Sequence, residues 1–289
     1  MESTLTSTGY EAGLDDYVKQ ERAAVDLINS VGSLMYDKGV ELVLFRNHLV
    51  NVTISEVINL ITYANEVVNK PIDLYESAKI AKAMLDLDLA PSKIDIGKLT
   101  FEYNEEKSNG TSISDFLNGK LGNFIGQDKH QFDPKDVILY GFGRIGRLVV
   151  RELITQAGKG QQLRLKAIVL RKVNTDDLVK RAALLSNDSV HGAFKGSVSV
   201  DKENLTLVVN GQRIQFIQAA NPDEIDYTQY GIDNALLIDS TGVFNNKEAL
   251  GRHLESKGVA KVLLTAPGSG IPNIVYGINQ GEFDIENHY

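Results

Sequence analysis

Three glycines, Gly141, Gly143 and Gly146, stand between a short apolar run, Val137-Ile138-Leu139-Tyr140, and a stretch from Arg144 to Gln156 that reads as a helix. The spacing G-x-G-x-x-G says little by itself, because loops are rich in glycine. Placed directly after a strand and at the opening of a helix, it has a specific physical meaning. The first glycine permits a tight turn, the second lets a ligand come against the backbone, and the third lets the helix pack close on the strand. The amides around Phe142, Arg144 and Ile145, with the positive end of the helix dipole, then face a pyrophosphate. This pattern predicts a dinucleotide site.

The sequence around the glycines supports that reading. After Asp133, short apolar runs alternate with helical patterns, as in a parallel sheet with crossover helices. Leu163 to Leu170 reads as a second strand and Asp176 to Leu185 as a second helix. Leu205 to Val209 and Arg213 to Ile217 flank Asn210-Gly211, a turn pair that tolerates positive φ, so an antiparallel hairpin is expected inside the parallel sheet. Ala235 to Ile238 and Val262 to Leu264 resume the strand pattern, with a helix from about Asn246 to Ser256 between them. The fold expected for 131–289 is therefore a Rossmann-type α/β domain with a mostly parallel sheet.

The first 130 residues have a different texture. Val18, Val25, Ile28, Val31, Leu34 and Met35 recur at helical steps within Leu14 to Lys38, and Gly39 follows as a stop. Thr53 and Glu56 have the spacing of a capping box ahead of Val57, Ile58, Ile61, Ala64, Val67 and Val68, and Pro71 ends that stretch. A third helix is expected from Ile72 to Leu87. Asn104 to Gly110 is polar. The segment reads as a mostly helical domain, 1–130, with the boundary between Gly126 and Pro134.

Composition narrows the function classes. With 43% hydrophobic and 24% charged residues the chain falls in the globular class, and at 289 residues it has length for two domains. A net charge of −8 without a basic cluster argues against nucleic-acid binding. Met1 to Asp16 carries Glu2, Glu11, Asp15 and Asp16 and has no apolar run, so no secretory signal is expected. No stretch approaches the roughly 18 apolar residues of a membrane span, and a cytoplasmic location is expected. The chain contains no cysteine, which removes disulfides, thiolate metal sites and any thiol nucleophile of its own.

The second strand ends in Arg171 and Lys172, where dinucleotide-binding units usually place an Asp or Glu for the ribose hydroxyls. A cation there suits the 2′-phosphate of NADP, so either NAD or NADP is expected, with NADP favoured. Four ordered motifs then resemble glyceraldehyde-3-phosphate dehydrogenase: Tyr140-Gly141-Phe142-Gly143-Arg144-Ile145-Gly146-Arg147, Asp188 to Gly196, Ser240-Thr241-Gly242-Val243-Phe244 and Thr265-Ala266-Pro267. The resemblance covers Asp133 to Asp284, and the segment before it resembles the helical N-terminal extension of long bacterial forms. It implies that Ser240, Thr241, Gly242 and Phe244 line the cofactor cleft and that Thr265 sets a hydroxyl beside the dinucleotide.

Three departures fall on the adenosine side: Tyr140 where the family commonly has Asn, Arg171 near its ribose-binding Asp, and Ala220 in place of an Arg motif. The family's mechanism uses a cysteine thiolate, a histidine base, hydride transfer to nicotinamide and release of an acyl phosphate. Its motifs stop here at Gly277-Ile278-Asn279, before that cysteine and the catalytic domain. The resemblance thus implies the NAD(P)-binding portion of such an oxidoreductase, homo-oligomeric in its full-length form, with no catalytic residue assigned within this chain and His191 read as structural. The alternative is a non-catalytic dinucleotide-binding or assembly module.

Overall fold

A computed structural model of the protein describes residues 7–127, 133–157 and 162–283. Its contacts divide the chain into two units, Met1–Gln131 and Phe132–Tyr289. The expected boundary region overlaps residues 128–132, which lie outside the described residues.

In the first unit, α1 (Ser7–Ser33) begins ahead of the expected Leu14 and runs into one π-helical turn, Leu34–Lys38. Gly39 closes it, its amide donating to the carbonyls of Leu34 and Met35. There follow β1 (Val40–Leu44), β2 (Asn47–His48), α2 (Ile54–Glu66), α3 (Leu74–Ala83), β3 (Ser92–Asp95), α4 (Ile96–Glu106) and α5 (Ile113–Leu121). The Thr53 capping box is present. Val67 and Val68 fall beyond α2, because their amides both turn back to the Tyr63 carbonyl and Asn69 takes a left-handed φ of 55°.

The unit is not helical alone. β1 pairs parallel with β3 and antiparallel with β2, making a three-stranded sheet that helical spacing does not announce. β1 is short and almost wholly buried, while β3 is polar but for Ile94, so neither shows clean alternation. Asp95 ties sheet to helix: one carboxylate oxygen accepts from the Phe45 amide and from the Lys98 amide, both at 3.0 Å. Leu27 and Leu34 pack with Leu42, Ile80, Met84 and Leu117 in one core.

The second unit runs β4 (Lys135–Tyr140), α6 (Arg144–Gln156), β5 (Leu163–Leu170), α7 (Thr175–Ser186), β6 (Asn187–Asp188), β7 (Gly192–Ala193) and β8 (Val198–Asp201). It continues with β9 (Thr206–Val209), β10 (Gln212–Gln218), β11 (Ala235–Asp239), α8 (Lys247–Gly251) and β12 (Val259–Leu264). Its seven-stranded sheet has the order β12-β11-β4-β5-β10-β9-β8. The first five are parallel, and β9 and β8 add an antiparallel edge. The β9–β10 hairpin turns at Asn210 and Gly211, with φ of 48° and 79°, as their residue types require. β8 extends the expected hairpin by one strand.

Alternation along β4 sends Val137 and Leu139 to one face and Ile138 and Tyr140 to the other. The first face packs on Val150 and Ile154 of α6 and Leu178 and Leu185 of α7. The second packs on Ile225, Tyr227 and Ile232, with Phe244 at its margin. With both faces covered, this is the doubly wound, Rossmann-type arrangement. From β4 the chain proceeds to β5 on one side and returns to β11 on the other. The sheet therefore has its switch point at the carboxyl ends of β4 and β11, where such folds open a crevice for ligands. Among the described residues, no helix is long and apolar enough to cross a membrane.

Candidate functional site

The glycine turn lies at that switch point. Gly141 leaves β4 with φ +96°, and a Cβ there would stand 2.8 Å from Thr241 Cγ2. At Gly146 a Cβ would lie 2.7 Å from both the Gly141 carbonyl oxygen and Ser240 Oγ. These two glycines are required by the protein's own packing. Gly143 differs: a Cβ there meets nothing within 4 Å. It is also the N-cap of α6 and carries no side-chain cap, so the first amides of Arg144 and Ile145 face outward without one. Open space beside uncapped helix amides is what a diphosphate requires.

β11 supplies the other wall. Its continuation Ser240-Thr241-Gly242 lies against the glycine turn, with Ser240 Oγ donating to the Gly141 carbonyl at 3.0 Å and the Ser240 amide to the Tyr140 carbonyl at 2.9 Å. The Thr265 amide and hydroxyl both donate to the Asp239 carbonyl, at 3.0 and 3.2 Å. The candidate residues thus divide by what their side chains do. Gly141, Gly143, Gly146, Ser240, Thr241 and Thr265 come together around the ends of β4 and β11. Phe142 turns into the core, 2% exposed and edge-on to Phe216, so its backbone alone reaches the turn. Ile145 is half exposed, Gly242 is exposed, and Phe244 is partly buried against Tyr140 and His253.

Residues 135–247 match the family model described as glyceraldehyde 3-phosphate dehydrogenase, NAD binding domain. The second unit belongs to the glyceraldehyde-3-phosphate dehydrogenase family. The chain is 48% identical, over 75% of its length, to a glyceraldehyde-3-phosphate dehydrogenase-like protein of Pseudomonas aeruginosa (strain UCBPP-PA14), of which it covers 47%. That share exceeds what Phe132–Tyr289 can supply, so the match reaches into the first unit. It is 35% identical over 52% of its length to glyceraldehyde-3-phosphate dehydrogenase 2 of Trichoderma koningii, covering 41% of it. It is 33% identical over 53% to glyceraldehyde-3-phosphate dehydrogenase of Chlamydia pneumoniae, covering 42%. The chain spans less than half the length of these relatives.

The three residues expected to depart from the family pattern lie at the end of β4, just after β5 and just after β10. Arg171 and Lys172 are exposed at the end of β5, and no salt bridge or hydrogen bond among the described residues engages the Arg171 side chain. Tyr140 is 4% exposed and edge-on to His253, with ring centroids 4.7 Å apart. Burial raises its hydroxyl above the usual phenol value, Asp239 adds to the rise, and Arg171 opposes it. The Ala219-Ala220-Asn221-Pro222 loop is folded by Glu224, which accepts from the amides of Ala220 and Asn221 and from the Asn221 side chain.

Asp188 organises the turn that contains His191. It accepts from the amides of Val190 and His191 at 2.9 and 3.0 Å, and Arg144 Nε lies 3.5 Å from its other oxygen. Those two amides, with the His191 ring, hold the Asp188 carboxyl well below the usual carboxylate range. Stability from a group with depressed acidity is fully present above its unfolded value and is lost as pH falls through the folded one. From about pH 5 downward the urea midpoint of the wild type should fall further than that of Asp188→Asn. Parallel declines would show that this turn contributes nothing.

Sequence reasoning missed one pair. Asp239 and His253 are both 0% exposed and meet at 3.0 Å, His253 Nε2 to Asp239 Oδ2. The usable signal was an acidic residue ending an apolar strand, directly before Ser240-Thr241-Gly242. His253, in a 3-10 turn after α8, carries no comparable mark.

Proposed function

We propose that this chain is the dinucleotide-binding portion of a phosphorylating aldehyde dehydrogenase, and that it takes NADP in preference to NAD. The observation that carries the cofactor reading is the glycine turn at the switch point, open at Gly143 and backed by the uncapped start of α6. When bound, the dinucleotide supplies a nicotinamide ring as hydride acceptor. The chain's residues bind and orient it. The first amides of α6 take the pyrophosphate, and the Ser240–Gly242 loop with Thr265 forms the opposite wall. In the complete enzyme this cleft would serve oxidation of an aldehyde phosphate to an acyl phosphate. We further propose that 1–130 and 131–289 act as separate domains of a cytoplasmic homo-oligomer.

The preference for NADP rests on Arg171, a cation unpaired among the described residues where an acidic ribose acceptor would stand. A charge-assisted bond to the 2′-phosphate is worth roughly 1.5–3 kcal/mol, which is about ten- to 150-fold in Kd. Calorimetric titration of the chain with both dinucleotides should give that ratio, and Arg171→Ala should remove most of it. Equal affinities in the wild type, or an unchanged ratio in the variant, would sink the preference and leave the NAD-type site intact.

The chain brings no thiol of its own. Oxidation by this route needs a strong nucleophile that forms a tetrahedral adduct with the aldehyde. The purified 289-residue chain is therefore expected to shift the fluorescence of NADPH on binding while forming none from NADP and an aldehyde phosphate. Steady aldehyde-dependent reduction would refute this.

A further inference from the structure

Asp239 ends β11 with three attachments. One carboxylate oxygen accepts from the Thr241 amide at 2.8 Å and from the Thr241 hydroxyl at 2.7 Å. The other meets His253 Nε2 at 3.0 Å, and its main-chain carbonyl takes the Thr265 amide. A fully buried carboxylate is costly unless its oxygens are satisfied, and here both are. His253 is less well provided. It is edge-on to Tyr140 and to Phe244, with centroids 4.7 and 5.3 Å away, and its buried Nδ1 has no hydrogen-bond partner among the described residues. The neutral Nε2–H tautomer fits this setting: it donates to Asp239 and leaves a lone pair, rather than an N–H, unsatisfied.

A continuous series of hydrogen bonds follows from His253. It passes through Asp239 to Thr241, and Ser240 beside it donates to the Gly141 carbonyl at 3.0 Å. A turn closed by Asp239 and Thr241 alone would shape the loop locally. The histidine adds an anchor from another element, held by two aromatic rings.

We propose that Asp239 and His253 are positioning residues that set the Ser240–Gly242 wall against the glycine turn, so that the cleft is formed before the cofactor arrives. This rests on the cofactor reading given above. Neither side chain is exposed, so both act through the loop and not by touching the dinucleotide. The anchor also accounts for burying a histidine that is only half satisfied.

The test separates loop from ligand. Amide exchange at Thr241, NAD titration and thermal unfolding are measured for wild type, His253→Leu and His253→Gln, and the imidazole ¹⁵N spectrum for wild type and Asp239→Asn. In the wild type His253 should show the Nε2–H signature. Asp239→Asn presents an amide N–H to Nε2 and should move the proton to Nδ1. His253→Leu should remain folded, exchange Thr241 faster and bind NAD about tenfold more weakly, while His253→Gln, which restores a donor, should recover most of both. If His253→Leu leaves Thr241 exchange and NAD affinity unchanged, or if Asp239→Asn leaves the tautomer unchanged, the proposal is overturned. If His253→Leu does not fold, the tautomer switch and the response to His253→Gln still decide it. A wild type that binds no NAD, with Thr241 exchange still governed by His253, would refute the cofactor reading and leave the anchor standing.

Discussion

Gly146→Val should lower the stability of the second unit by about 3 kcal/mol, at the upper end for forcing extra atoms into a packed site. The first added carbon alone would lie 2.7 Å from the Gly141 carbonyl oxygen and 2.7 Å from Ser240 Oγ. The carbonyl belongs to a turn held at φ +96°, and the hydroxyl donates to it, so neither retreats without loss of a hydrogen bond. Valine's two methyl groups add to the clash, and its higher helix propensity than glycine recovers only about 0.5 kcal/mol. Urea denaturation followed by tyrosine fluorescence measures the difference. A midpoint equal to the wild type's would mean that α6 does not rest against the glycine turn.

Gly143→Trp should do the reverse, abolishing dinucleotide binding while leaving the fold as it is. The backbone at Gly143 has φ −76° and ψ −163°, a conformation open to any residue, and a Cβ there touches nothing. Stability should therefore change by no more than about 0.5 kcal/mol. An indole at that point fills the space in front of the first α6 amides. NAD affinity should fall at least about 100-fold, equivalent to roughly 2.7 kcal/mol. Calorimetric titration beside a thermal melt reads both. A variant that melts like the wild type and binds NAD within threefold would place the pyrophosphate elsewhere. The two substitutions, three residues apart, thus distinguish a glycine kept for packing from one kept for a ligand.

The second unit was legible in the sequence because four of its five parallel strands contain short apolar runs, the fifth, β10, follows the Asn210-Gly211 turn pair, and its turns use residues with few alternatives. Leu163–Leu170 coincides with the expected strand, and α7 differs from its expectation by one residue at either end. The first unit was only half legible. Helices α1 and α2 follow from periodic stripes and from a capping box whose chemistry is local. Strand β3, Ser-Lys-Ile-Asp, has no such pattern. It becomes a strand because β1 offers it a parallel edge, with Val40 opposite Ser92 and Val43 opposite Asp95.

By itself the sequence determined the glycine turn, the order of strand and helix around it, the Asn210-Gly211 hairpin and the cation at the end of β5. These depend on neighbours a few residues apart, through φ preference, capping and hydrophobic period. Only the tertiary structure decided which glycines are crowded and which is open, that Phe142 turns into the core while Ser240 braces the turn, and that His253 meets Asp239. Those facts depend on pairings across the sheet: β11 beside β4 puts Ser240 within 3.0 Å of a carbonyl 99 residues earlier in the chain. No local preference encodes such a meeting, because it arises when both strands bury their apolar faces against the same helices and loops.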